Sequence, residues 1–250
     1  MAKFSLSNAD KTRYKITKTQ AKSINKMYSK MYDNIKKSID EESKKTSISS
    51  QMRTGYLKEL EQQIVVESKN ISQQLGVEIP KNMFNAAQAV TQASGNFAQG
   101  LGLEISPKMS RVSTDVVANI MGGTIYKKPW SLSGALWSDL QHTQKDIQFI
   151  VAQGTAMNKS AFDIAKDLEK YVNPSAKKDW DWSKVYPGTR KTIDYNAQRL
   201  ARTMVSHSYQ QSIVANTKPN PFVTGLRWDA SNSVRTCAIC HDRDGQVYKK

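Results

Sequence analysis

The chain has 250 residues, with 37 Lys+Arg against 22 Asp+Glu, a net charge of +15 and a sequence pI near 9.7. That length allows one large domain or two modest ones. Only 38% of residues are hydrophobic and two are cysteine. These figures exclude a disulfide-rich scaffold and argue against one compact core spanning the whole chain. Every 18-residue stretch carries many polar side chains, which excludes a membrane-spanning helix. The opening MAKFSLSNADKTRYK has no apolar run of the secretory kind, so synthesis and folding in a reducing cytoplasm are expected. The basic excess favours a polyanionic partner, either nucleic acid or an acidic protein surface.

Residues 1–45 form a basic arm of charge +7, with 12 Lys/Arg against five acids. Ile24, Met27, Met31, Ile35 and Ile39 recur every three or four residues, the spacing of one helical stripe. Lys15, Lys18, Lys22, Lys26, Lys30, Lys36 and Lys37 accompany that stripe as candidate contacts to phosphates or an acidic partner. No aromatic residues interleave for base stacking, so any DNA contact there would be independent of sequence. A plain solvated helix face is the competing reading.

Ser47–Ser50 is a plausible break. Met52, Tyr56, Leu60, Ile64, Ile71 and Leu75 then form a second stripe, with Gly76 as a C-terminal stop and Pro80 opening a new element. Residues 82–103 contain no charge and many small side chains, which suits close packing or a hinge around Gly95, Gly100 and Gly102. A helix over 106–121 is capped by Ser106, has Pro107 at its first position and ends at Met121-Gly122-Gly123. Another runs from about Ser131 to Gln153 and is ended by Gly154. Asn158 caps the next, with Phe162, Ala165, Leu168 and Val172 as its buried face and Asn173-Pro174 as its stop. Residues 174–188 read as a loop. Thr189 caps a long helix carrying Ile193, Ala197, Leu200, Met204 and Tyr209 or Ser208 on one face, with Arg199 and Arg202 as further basic candidates. Pro219 and Pro221 end it. The remaining tail holds short strand-like runs, Phe222–Trp228 and Gln246–Tyr248, with Asp244-Gly245 as a turn between them.

Cys237-Ala238-Ile239-Cys240-His241 has the c-type haem spacing, the spacing of a redox pair, and that of half a zinc site. A helical context and no export signal speak against the first two. Two thiols and an adjacent His do not complete a zinc site, so Cys237 and Cys240 are either an incomplete one or two structural thiols. Zinc is expected only with further ligands after Lys250, and no other cofactor is expected. No Ser/His/Asp set, phosphate loop or H-E-x-x-H occurs, and the last Glu is Glu169. Nothing in the sequence calls for an enzyme.

Three pieces carry a resemblance. They are the helix Phe162–Leu168 after Gly154, the helix Ala201–Tyr209, and the string Gly225–Ala230, Arg235-Thr236-Cys237-Ala238-Ile239-Cys240, Asp244-Gly245-Gln246-Val247-Tyr248. Together they resemble the Mu-F-like head-morphogenesis, or minor capsid, proteins of tailed bacteriophages, over about residues 130–250. The resemblance implies a minor structural protein of the phage head, bound to the portal and the capsid interior. It would be made in the host cytoplasm and then carried in the virion. Its partners would be portal protein, major capsid or scaffold protein and double-stranded DNA bound non-specifically, with self-association as a further contact. It implies structural roles for Trp228, Arg235, Cys237, Cys240, Asp244, Gly245 and Tyr248. The fold class expected is mainly α, with an elongated multi-helix N-terminal half (1–129) and a C-terminal region (130–250) ending in a small α+β module. A cellular nucleic-acid-binding adaptor with a zinc-knuckle-like tail, or an effector or toxin fused to such a domain, are the rival readings.

Overall fold

The computed structural model describes residues 4–44, 50–104, 107–124, 131–176, 192–221, 223–230 and 236–250. Within them lie seven helices: α1 (Ser7–Ser43), α2 (Ser50–Gly100), α3 (Pro107–Met121), α4 (Leu132–Ala156), α5 (Ala161–Val172), α6 (Tyr195–Thr217) and α7 (Ala238–Arg243). Two strands, β1 (Gly225–Arg227) and β2 (Val247–Lys249), pair antiparallel. The protein is mainly α with a small α+β tail.

The helix periods of the sequence become the packing faces. On α1, Ile24, Met31, Ile35 and Ile39 are fully buried and Met27 packs against them. On α2, Leu60, Ile64, Ile71 and Leu75 do the same, and Tyr56 packs beside them. The Met52 side chain lies outside the described residues. Ser23 Oγ donates to Glu78 at 2.9 Å and Asn34 Nδ2 donates to Glu67 at 2.8 Å, which fixes α1 antiparallel to α2.

Two expected boundaries are absent. α2 runs unbroken through Gly76 and Pro80 for 51 residues, about 75 Å at 1.5 Å per residue. Proline in a helix interior removes one hydrogen bond and costs about 3 kcal/mol. Leu75, Ile79, Met83, Ala86 and Ala87 are all buried around that point. Burial is worth about 2 kcal/mol for each large apolar side chain, so packing outweighs the break. Gly76 is a contact rather than a stop: a Cβ there would lie 3.8 Å from Leu136 of α4.

The charge-free segment 82–103 is therefore helix almost to its end, and it packs. Ser208 Oγ donates to the Met83 carbonyl at 2.7 Å, and Asn216 Nδ2 reaches Thr91 Oγ1 at 3.3 Å. These contacts run α6 parallel to the second half of α2. Small side chains let the two backbones approach. The helix stops at Gly100, and Gly102 takes a left-handed φ of 74°.

The later elements shift by a few residues. Ser131 caps α4 as expected, its Oγ accepting from Gly134 N at 3.1 Å. Gly154 lies inside α4, not after it, because Ile164 of α5 sits directly on its bare Cα; a Cβ there would meet Ile164 Cγ1 at 2.6 Å. The cap of α5 is Ser160, whose Oγ accepts from Asp163 N at 3.1 Å; Asn158 instead turns the chain with φ 53°. Phe162 is exposed rather than core, with the Lys166 ammonium 5.5 Å from its ring centroid. Ala165, Leu168 and Val172 are buried. The proposed breaks or caps at residues 47–49, Ser106 and Thr189, and most of the 174–188 loop, lie outside the described residues. The main core runs from Ile24 through α2, α3, α4 and α5 to Met204, so helices on both sides of residue 129 share it. A smaller cluster of Ala9, Ala86, Val90, Val205 and Tyr209 joins the start of α1 to α2 and α6.

Candidate polyanion-binding face and tail module

Burial of one face of α1 dictates where its lysines go. Ile24, Met31, Ile35 and Ile39 turn inward, and Lys11, Lys15, Lys18, Lys22, Lys26 and Lys30 are all exposed on the other side. They follow one another at three- or four-residue steps over about 28 Å of helix. Among the described residues none of the six has an acidic partner within ion-pair distance. Lys36 and Lys37 are exposed too, but there the stripe is diluted: Asp33, Asp40 and Glu41 enter the same stretch, and Lys37 lies 3.9 Å from Glu41. The strongest one-sign run is therefore Lys11–Lys30.

α6 packs alongside α1. The Arg13 guanidinium sits 5.3 Å over the Tyr209 ring, and Asn25 Nδ2 reaches Asp194 at 3.4 Å. The two contacts fix α1 antiparallel to α6. That register sets the exposed Arg199 and Arg202 level with the Lys18–Lys22 stretch. Two separate candidate groups in the sequence thus belong to one region of the fold. Arg13 itself is engaged by Asp10 at 2.7 Å and does not count among the free cations.

The tail motif residues build a small module beyond both core clusters. Asp244 Oδ1 accepts from the Ala230 N–H at 2.8 Å. Gly245 adopts φ 77° and its N–H donates to the Trp228 carbonyl at 2.9 Å. A side chain is strained at that φ, so glycine belongs there. The Trp228 N–H donates to Gln246 O at 2.8 Å, and the Arg243 guanidinium lies 5.9 Å from the Trp228 ring. Tyr248 pairs with Leu226 in the sheet. Gly225 accommodates the strand crossing: a Cβ there would come within 2.7 Å of the Tyr248 carbonyl oxygen. Asp244-Gly245 turns the chain into β2, but α7 lies between the strands, so it is not a two-residue hairpin. Arg235 lies outside the described residues. The string Trp228, Asp244, Gly245, Tyr248 is thus a set of structural contacts.

Cys237 precedes α7 and Cys240 lies one turn on; Cys237 is exposed, Cys240 half-buried, and both are free thiols. The Cys240 N–H and the Cys240 thiol, in that order, stabilise the Cys237 thiolate and hold its pKa below the ordinary thiol value. Cys240 is pushed up in turn, first by that same thiol contact. A structural zinc takes four ligands. Cys237 and Cys240 offer two thiol ligands, and among the described residues no three His, Cys, Asp or Glu side chains gather where they could hold a metal.

Two polar features had no signal in the sequence. Asp146, buried in α4, accepts from the buried Tyr171 hydroxyl at 2.8 Å and ties α4 to α5. A groove of about 340 Å³ lies between α2 and α4, lined by Glu61, Gln62, Val65 and Gln144 among others. Burial raises the Glu61 pKa, with Lys58 opposing. Both features depend on which helix faces which, and periodicity within one helix does not carry that information. No helix is long and apolar enough to cross a membrane among the described residues. Comparison with protein-family models, with curated proteins and with solved structures gives no match.

Proposed function

We propose that this chain is a binding protein, not a catalyst: a minor structural component of a bacteriophage head that lays the α1 lysine face along the phosphates of packaged DNA. The observation that carries the DNA part is the acid-free lysine run from Lys11 to Lys30, exposed opposite a buried apolar face. Its contacts are to backbone charge and read no sequence. Arg199 and Arg202 extend the same region. The phage part rests on the tail string from Gly225 to Tyr248, whose contacts make a self-contained module suited to docking on a portal or capsid protein. The protein is made in the host cytoplasm and ends in the virion.

Quantitative mass spectrometry of purified virions, before and after triggered DNA release, tests this. Presence in full particles and loss from emptied ones marks an internal protein that leaves with DNA. Presence in both marks a fixed head or portal component. Absence from both rejects the virion assignment.

A further inference from the structure

The two thiols of the tail stand on one turn of backbone. Cys237 is the last residue before α7 and Cys240 lies in the first turn of that helix. Cys237 has φ −72° and ψ 158°, and its carbonyl accepts from the His241 N–H at 3.0 Å, which closes the turn. Three residues along such a turn separate the Cα atoms by about 5 Å, given a helix rise of about 1.5 Å per residue and a radius of about 2.3 Å. A disulfide takes Cα atoms about 4.4–6.8 Å apart, so the spacing suits closure. The side chains converge as well. The Cys240 N–H and the Cys240 thiol both face the Cys237 sulfur. No cap hydrogen bond ties that sulfur down. The surrounding helices make no thioredoxin-like fold, but exchange needs only the two sulfurs and a path to one of them.

We propose that Cys237 and Cys240 form a dithiol site, which a low-molecular-weight disulfide of the glutathione class oxidises reversibly to an intramolecular disulfide.

The exchange runs in two steps. Cys237 is exposed and Cys240 half-buried, so Cys237 attacks first. Its thiolate bonds to one sulfur of the small disulfide, the S–S bond breaks, and the departing thiolate takes up the proton that Cys237 released. A mixed disulfide now stands on Cys237. The contact with the Cys237 thiol, which chiefly held the proton on Cys240, is gone, while the Arg243 charge still favours the Cys240 thiolate. Cys240 gives up its proton and bonds to the Cys237 sulfur, and the second small thiol leaves with that proton. Two protein thiols and one small disulfide have become one protein disulfide and two small thiols. The protein loses two electrons and the small disulfide gains them, so no further oxidant is needed. The bridge spans the turn that carries the chain from Cys237 towards the Asp244 and Gly245 contacts with Ala230 and Trp228. Oxidation thus pins α7 between the two strands. This inference does not depend on DNA binding or on a place in the virion.

The test incubates the full chain, reduced and then freed of reductant, with oxidised glutathione, and reads intact mass and bound zinc. The parent should lose two hydrogens, about 2 Da, retain no glutathione, and regain its mass in dithiothreitol. Cys240→Ser should stop at one glutathione held on Cys237. Cys237→Ser should take up glutathione about tenfold more slowly than Cys240→Ser. Serine is close to cysteine in size and neither site is buried, so the fold should stand, which circular dichroism checks. A parent that ends with two glutathiones, with two free thiols or as a disulfide-linked dimer overturns the proposal. So does a zinc ion retained through the treatment, since the thiols would then be metal ligands. Faster uptake by Cys237→Ser than by Cys240→Ser overturns the assignment of the attacking thiol.

Discussion

Replacing Lys15, Lys18, Lys22 and Lys26 together by alanine tests the lysine face by its electrostatics and not merely by its affinity. Each phosphate neutralised on B-form DNA contributes about −0.9 to the slope of log K against log salt. The six exposed lysines from Lys11 to Lys30 predict a slope of about −5, and engagement of Arg199 and Arg202 as well would bring it to about −7. Removing four lysines should make the slope shallower by about 3.6, whatever the starting value. Between about 50 and 200 mM salt, six contacts lose about 10³ in affinity and two lose only about tenfold. Alanine is the best helix former and these positions are exposed, so the fold should be untouched, which far-UV circular dichroism confirms independently. Fluorescence anisotropy on a short duplex across that salt range is the assay. A slope that changes by less than about 1 in the variant would refute the reasoning, because the binding charges would then lie elsewhere. Loss of affinity at an unchanged slope would refute it too.

Four further outcomes follow from single contacts. Pro80→Ala should return a backbone donor to α2 and raise unfolding stability by about 1–3 kcal/mol in a denaturant titration; no gain would mean that the helix is not continuous there. Gly154→Ala, ordinarily favourable in a helix, should cost about 1–3 kcal/mol because the new Cβ meets Ile164 at 2.6 Å; a rise in melting temperature would contradict the α4–α5 contact. Burial, with Glu42 and Asp40 adding to it, raises the Tyr56 pKa to about 12, against a Ser38 hydrogen bond that lowers it. The unfolded chain then loses its tyrosine proton first, so stability should fall from about pH 10 to about pH 12, and Tyr56→Phe should flatten that fall. Cys237 should alkylate faster than Cys240 near neutral pH, read by peptide mass spectrometry after brief iodoacetamide treatment; equal rates would remove the thiolate asymmetry.

Much of the fold was legible because one helix face carries its own record. Ile24, Met31, Ile35 and Ile39 announce a buried stripe, and Ser131 announces a cap, from local spacing alone. What failed were the places where a neighbouring helix decides. Gly76 and Pro80 are breakers by propensity, yet the packing of Leu75, Ile79 and Met83 carries the helix through them. Gly154 reads as a stop, yet it is the smooth spot on which Ile164 rests. Phe162 fits the apolar period, but it sits at the rim of α5 and faces water. In each case the local preference is worth about 1–3 kcal/mol, comparable with the burial of a single large side chain.

For the same reason the candidate site is only half visible in the sequence. The lysines of α1 lie within one helix, so their spacing shows in the sequence. That Arg199 and Arg202 lie level with Lys18 and Lys22 along the paired helices does not show, because some 180 residues separate them. The link is the antiparallel docking of α1 on α6, set by Arg13 against Tyr209 and Asn25 against Asp194. A helix assigned by sequence to the second half of the chain thus lies alongside one from the first, and both contribute to the core from Ile24 to Met204. The tail module meets the end of α6 at Asn220, whose carbonyl accepts from the Lys250 ammonium at 2.9 Å. That contact, too, joins residues from separate stretches of the chain and leaves no trace in the spacing of either.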